Sequence, residues 1–221
     1  EGQHDLALAL LKEAEAHVPD GGRALAGVIA HFRGAVYSHT GDRELAIEQL
    51  LTALEHFGPK HLAVGRALDT LGMVYASKGQ FHTASELYQH AIAHKQRVGD
   101  KPGEALTHGN LGRLYLDWGE LEKAETHFER DLELSRSIGD WRGIAQMANH
   151  LAQVKIAKVK ELLGKIRAEI DMTEENHMLG ALRGVILDAD GTVIHDLFDE
   201  FDVERPEVVP FALSTSTTNI K

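Results

Sequence analysis

A glycine–tyrosine–glycine triplet with one fixed internal spacing occurs three times along the chain, as Gly34/Tyr37/Gly41, Gly72/Tyr75/Gly79 and Gly112/Tyr115/Gly119. Each is followed by an Ala, then a large apolar residue four on, then a further position that favours a small residue. These follow-on sets are Ala46/Leu50/Ala53, Ala84/Tyr88/Ala91 and Ala124/Phe128/Asp131, the last departing from small at Asp131. Such self-similarity constrains the fold more than any single residue, because each unit must bury its apolar face against the next. Apolar residues at i, i+3, i+4 and i+7 on both sides of the triplet predict paired helices. The first Gly lets the two helices of a hairpin approach closely, and the Tyr fills the gap beside it. The second Gly ends the first helix, since it accepts the left-handed conformation. The large apolar residue is expected against the first helix of the following repeat.

This pattern resembles the tetratricopeptide repeat (TPR). The spacing of 39, 38 and 40 residues across Ala7, Ala46, Ala84 and Ala124 exceeds the usual 34 or so. Segments such as Gly99–Gly103 and Gly139–Gly143 read as loops that take up the extra length. The long-repeat style is similar to the sensor arrays of bacterial STAND-type regulators and to kinesin light chains. The resemblance implies an all-α TPR solenoid, right-handed, built from helix-turn-helix repeats. Ala7, Leu11 and Ala14 match only a second helix, and Gly143 to Val154 match only a first helix. Residues 1–154 are therefore expected to form a half repeat, three full repeats and a half repeat. With Glu1 in place of Met, the expectation is that both ends of the array are cut.

By analogy with the family, defined positions of the first helices line a ligand groove. In this sequence they are His31, Ala35, His39, Arg66, Asp69, Met73, Arg113, Leu116, Asp117, Gln146 and Asn149. That mixed lining suits a folded or partly helical protein ligand better than a uniformly charged peptide.

From about residue 155 the repeat signature stops, with Lys155 and Val159 where an aromatic and a Gly would be needed. Ile156, Val159, Leu163, Ile166 and Ile170 keep helical spacing. Asp171 with Glu174 then reads as a capping box that starts or resets a helix through about Leu182. Gly184 to Phe198 reads as a β-hairpin turning at Asp190-Gly191, and a third strand is expected over Val208–Leu213. The segment 155–221 is thus expected to be a small α+β segment, a long helix plus β-hairpin.

Two resemblances compete for the hairpin. Leu187-Asp188-Ala189-Asp190-Gly191-Thr192 is similar to the first motif of haloacid-dehalogenase-type phosphatases, which implies Asp188 as nucleophile and Asp190 as acid/base. Only 29 residues follow Thr192, too few for the sheet and remaining catalytic groups of such an enzyme. The other covers more sequence: Asp171–His177, Leu179–Gly184, Leu187–Val193 and Asp196–Phe201 in order. It resembles the lambda-type major capsid protein of tailed phages, whose spine helix and adjoining hairpin correspond to this stretch. Asp202 departs where the family usually has Gly. Removed from a capsid subunit, Val185, Leu187, Val193, Leu197, Phe198 and Phe201 need a partner surface, and they are the expected contacts of a bound segment.

Composition removes other classes. Zero Cys excludes a disulfide framework and thiol chemistry, and fits a cytoplasmic protein. The formal charge of −11, which divides into −6 up to residue 154 and −5 beyond, argues against nucleic-acid and anionic-membrane partners. His90 and His94 have a spacing compatible with zinc, but Ala91 stands where a metalloprotease glutamate would be, and a solvated helix face is expected. The role of the 14 His is not read from the sequence. No catalytic residues, metal or cofactor are expected. The expected function is non-catalytic protein recognition: the sensor of an antiphage defence protein, joined by fusion to the capsid segment it binds, within one chain or between two. A capsid-assembly chaperone or scaffold is the alternative, and the phosphatase a third.

Overall fold

The computed structural model of the chain describes residues 2–182, 185–187 and 193–196. Eight helices come first: α1 Gly2–Ala16, α2 Arg23–Thr40, α3 Arg43–His56, α4 Ala63–Ser77, α5 Phe81–Val98, α6 Lys101–Trp118, α7 Leu121–Ile138 and α8 Trp141–Leu182. Strands β1 Val185–Leu187 and β2 Val193–Asp196 follow and pair antiparallel. The chain divides into two compact units, Glu1–Val159 and Lys160–Lys221.

In the first unit the helices pair as α2/α3, α4/α5 and α6/α7, with α1 packed on α2 before them and α8 meeting α7 after them. The glycine triplet explains each hairpin. A Cβ on Gly34 would lie 2.6 Å from Leu50 Cγ, one on Gly72 2.9 Å from Tyr88, and one on Gly112 2.6 Å from Phe128. The large apolar residue of each second helix therefore fills the notch on the first helix of its own repeat, a contact expected only across repeats. It also reaches onward: Leu50 clusters with Leu71 and Val74 of α4, and Phe128 meets His150 of α8 with ring centroids 4.8 Å apart. Ala46, Ala84 and Ala124 at the crossings are fully buried.

Gly41, Gly79 and Gly119 end their helices at φ of 91°, 74° and 87°, the left-handed region that a Cβ resists. Gly99 and Gly139 do the same after α5 and α7. This corrects the expected loops. Gly99-Asp100 and Gly139-Asp140 are two-residue turns, and the extra repeat length goes into helices α5, α6 and α7 of 18 residues each. Asp100 caps α6 by accepting from the Gly103 amide at 3.0 Å, and Pro102 occupies the first turn, where it has no hydrogen bond to lose.

Helix α8 is continuous over 42 residues, so Asp171 and Glu174 do not start a new helix. No Gly or Pro stands near them to break the backbone ladder, and continued hydrogen bonding outcompetes a local cap. Ile156, Val159, Leu163, Ile166 and Ile170 are each exposed. In the strands, Val185 opposes Asp196, Ile186 opposes His195 and Leu187 opposes Val193, with an irregularity between Ile186 and Leu187. The Asp190-Gly191 turn, the Asp188 phosphatase motif, Leu197, Phe198, Phe201 and the third strand over 208–213 lie outside the described residues.

Candidate functional site

The first helices α2, α4, α6 and α8 carry the expected groove residues, and the structure sorts them into surface and interior. His39, Arg66, Met73, Arg113, Asp117, Gln146 and Asn149 are exposed, while His31 and Leu116 are half-buried. His31 is tied to the next repeat by a 3.3 Å hydrogen bond between its Nε2 and Thr70 Oγ1. Burial, with Arg66 nearby, lowers the pKa of its ring.

Asp69 is the correction. It is buried at 7% exposure and paired with Lys95 of α5 rather than facing a ligand. On a helix, Arg66 and Met73 are seven apart and share a face, which Asp69 and Thr70 flank on opposite sides. Asp69 stands one step round, in the junction of α4, α5 and α6. There Lys95 Nζ donates to Asp69, to Thr107 Oγ1 at 2.6 Å and to the Gly103 carbonyl at 3.1 Å, while Thr107 Oγ1 donates to Asp69 Oδ1 at 2.8 Å. All three ammonium protons are used. Burial raises the Asp69 carboxyl pKa more than Lys95 and Thr107 lower it.

Two clefts open between the first helices, and Arg113 lines both. Met73, Ser77, Phe81, Asn110, Arg113 and Asp117 border the one between α4 and α6. Arg113 Nε lies 3.4 Å from Asp117 Oδ1, so the two form one polar rim. The other, between α6 and α8, joins Arg113 to Gln146, with Asp131, Ser135 and His150 deeper in. Thus Met73, Arg113 and Asp117 come together, as do Arg113 and Gln146. Arg66 borders a separate depression with Leu62, Val98 and Leu106, while His39 and Asn149 lie in none of these.

Sequence reasoning missed Asp131 and His150 as a pair. Asp131 was visible as the one break in the small-residue pattern. It is 4% exposed, accepts from Ser135 Oγ at 2.9 Å, and burial raises its pKa to about 6.

Several His prove to be interior residues. His94 is 2% exposed, whereas His90 is on the surface, so the pair is not the solvated face expected. His108 and His127 stack at 5.2 Å with their Nδ1 atoms 3.0 Å apart. Burial and the neighbouring ring hold His108 near pKa 4, and burial alone lowers His127. Among the described residues no group of three or more His, Asp or Glu is placed to hold a metal, and no helix is long and apolar enough to cross a membrane.

Known proteins divide in the same way as the sequence. Residues 137–221 match the family of phage major capsid protein E. Over 61 residues the chain is 39% identical to the major capsid protein of Salmonella phage Felix O1, covering 28% of this chain and 16% of that protein. Over 180 residues it is 25% identical to mouse outer dynein arm-docking complex subunit 4, covering 74% of this chain and 28% of that one. The chain therefore spans under a third of either relative. Among solved structures, BtubC (BKLC) from P. vanneervenii superimposes with a TM-score of 0.61 at 20% identity, over 76% of this chain and 72% of that one. A putative kinesin light chain from Podosopora anserina with nearly identical TPR-like repeats gives 0.57 at 19% identity, over 76% and 87%. These likenesses establish the helical-repeat fold. Residues 2–177 match the family model described as the MalT-like TPR region, and with helical hairpins, glycine notches and left-handed caps all in place, the chain belongs to that family.

Proposed function

We propose that the repeat unit is a non-catalytic protein-recognition module and that the phage-capsid-type segment in the same chain is its ligand. The observation that carries this reading is the joining of a TPR array to 61 residues 39% identical to a phage major capsid protein. The rims around Met73, Arg113 and Asp117 offer apolar area beside both charge signs, which suits a folded protein surface. Both parts are acidic, so apolar and hydrogen-bonded contacts must carry the association. Joining them raises effective concentration to about millimolar, which populates even a weak contact. In biological terms the array acts as the sensor of an antiphage defence protein in the cytoplasm.

The test separates the two parts after Val159, which keeps Lys158 bonded to Glu125 at 2.5 Å. The repeat unit 1–159 is titrated with the separate segment 160–221 by calorimetry. Binding that weakens at least tenfold with Arg113→Glu supports recognition through the α4–α6 rim. No binding at high micromolar concentration sinks it. Equal binding of unrelated unfolded proteins would instead indicate a capsid-assembly chaperone.

A further inference from the structure

Between the last two full repeats every landmark recurs at an offset of forty: Gly72 and Gly112, Ala84 and Ala124, Gly99 and Gly139. By that offset the buried set Asp69, Lys95, Gly103 and Thr107 corresponds to Gly109, Ser135, Gly143 and Met147. The junction of α6, α7 and α8 therefore lacks both members of the ion pair found one repeat earlier. A carboxylate is nevertheless present. Asp131 reaches across from α7, and a Cβ on Gly109 would lie 2.5 Å from its Oδ2. The carboxyl thus fills the space in which Asp69 begins in the preceding junction.

What is missing is the ammonium. Among the described residues Asp131 accepts from Ser135 Oγ, feels Asp140 as a second negative charge, and forms no ion pair with a cation. Beside it lies a cleft of about 240 Å³. His150 lines the same cleft, is only 9% exposed, and its Nδ1 has no hydrogen-bond partner among the described residues. The Asp131 carboxyl at an open cleft calls for a donor, and an unpaired imidazole lies beside it. The chain cannot supply it from residue 135. Lys95 reaches its site by lying over Gly65, where a Cβ would come within 2.8 Å of its Cγ and Cε. The counterpart of Gly65 is Ala105, which lines the cleft and blocks that path. Among the described residues neither cation at the mouth pairs with Asp131: Arg113 pairs with Asp117 and bears on His150, and Arg142 lies over the Trp141 ring at 5.3 Å. Asp140 adds a carboxylate to the lining.

We propose that the α6–α7–α8 cleft receives the side-chain ammonium of a lysine from a protein partner, seated between Asp131 and His150 as the counterpart of Lys95. This rests on reading the repeat unit as a protein-recognition module, but not on which protein it recognises.

The experiment uses the full chain labelled at its methionine methyls, titrated with Nα-acetyl-lysine methylamide and followed at Met147. A saturable shift is expected. It should be absent with the Nε-acetylated probe, at least tenfold weaker in Asp131→Asn, retained in Ala105→Gly, and lost in Ser135→Lys/Ala105→Gly, where a resident ammonium fills the cleft. Thermal unfolding of each variant checks folding, and Asp131→Asn remains decisive if the double variant does not fold. An equal response to the acetylated probe, tighter binding of the arginine analogue, or no shift in the unaltered chain overturns the proposal. Because the probe contains no capsid sequence, failure of segment 160–221 to bind counts against the capsid reading alone.

Discussion

Lys95 and Asp69 form an ion pair inside the junction of α4, α5 and α6, with Lys95 fully shielded from solvent. Removing one partner leaves the other charged and buried, which costs about 3–5 kcal/mol, whereas replacing both by apolar groups can be neutral or stabilising. Lys95→Met and Asp69→Leu should each lower the urea midpoint sharply. The double variant Lys95→Met/Asp69→Leu should recover most of the loss. If the two single losses simply add, the pair is not the energetic unit described here.

The hairpin notch makes a second prediction. At Gly112 a Cβ would be 2.6–2.7 Å from Phe128 Cδ1 and Cε1, and Phe128 is fully buried with no room to turn. Gly112→Ala should destabilise the chain by about 1–3 kcal/mol through overpacking, although Ala is the better helix former. Combining it with Phe128→Leu, which shortens the blocking ring, should cost less than the sum of the two changes. Thermal unfolding of the three variants measures this.

The glycine triplet made the hairpins and caps legible because its requirements are local: a missing Cβ, a positive φ and a helical period all act within one repeat. Where the sequence reading failed, the deciding contact was distant in the chain. Asp69 looked like a groove residue because its partners, Lys95 and Thr107, are 26 and 38 residues away. Gly99-Asp100 looked like part of a loop, since Gly and Asp punctuate both loops and tight turns. Asp131 was marked as the odd residue of the pattern, but its cleft needs α8 folded against α7 before it exists.

Acid should weaken the fold through its buried imidazoles. His108 is held near pKa 4 by burial and the His127 ring, against the opposing pull of Glu104, with Arg130 adding to the shift. A base whose folded pKa is below its unfolded value of about 6.5 contributes stability that is complete above that value and lost as pH falls toward 4. His31, His94, His127 and His150 are lowered in the same sense. The melting temperature should fall between about pH 6.5 and 4, and His108→Gln should flatten the fall. An unchanged slope in that variant would show that the ring is not shielded as described.

Asp131 works in the opposite direction, which allows it to be isolated. Its carboxyl, raised to about pKa 6 by burial, loses its proton less readily in the folded than in the unfolded chain. Stability is therefore withdrawn as pH rises from about 4 through 6 and stays withdrawn above. Asp131→Asn keeps an oxygen to accept from Ser135 Oγ and cannot ionise. Near pH 8 the variant should melt above the unaltered chain, and the gap should close as pH is lowered past 6. The His outside this cleft, His31, His94, His108 and His127, contribute equally to both proteins and cancel in the difference. Melting curves of the pair across that range decide it, and a gap independent of pH would mean that the buried carboxyl is already neutralised by a cation. Adding the lysine probe should narrow the gap at high pH, since an ammonium seated beside Asp131 stabilises only the chain that retains the charge.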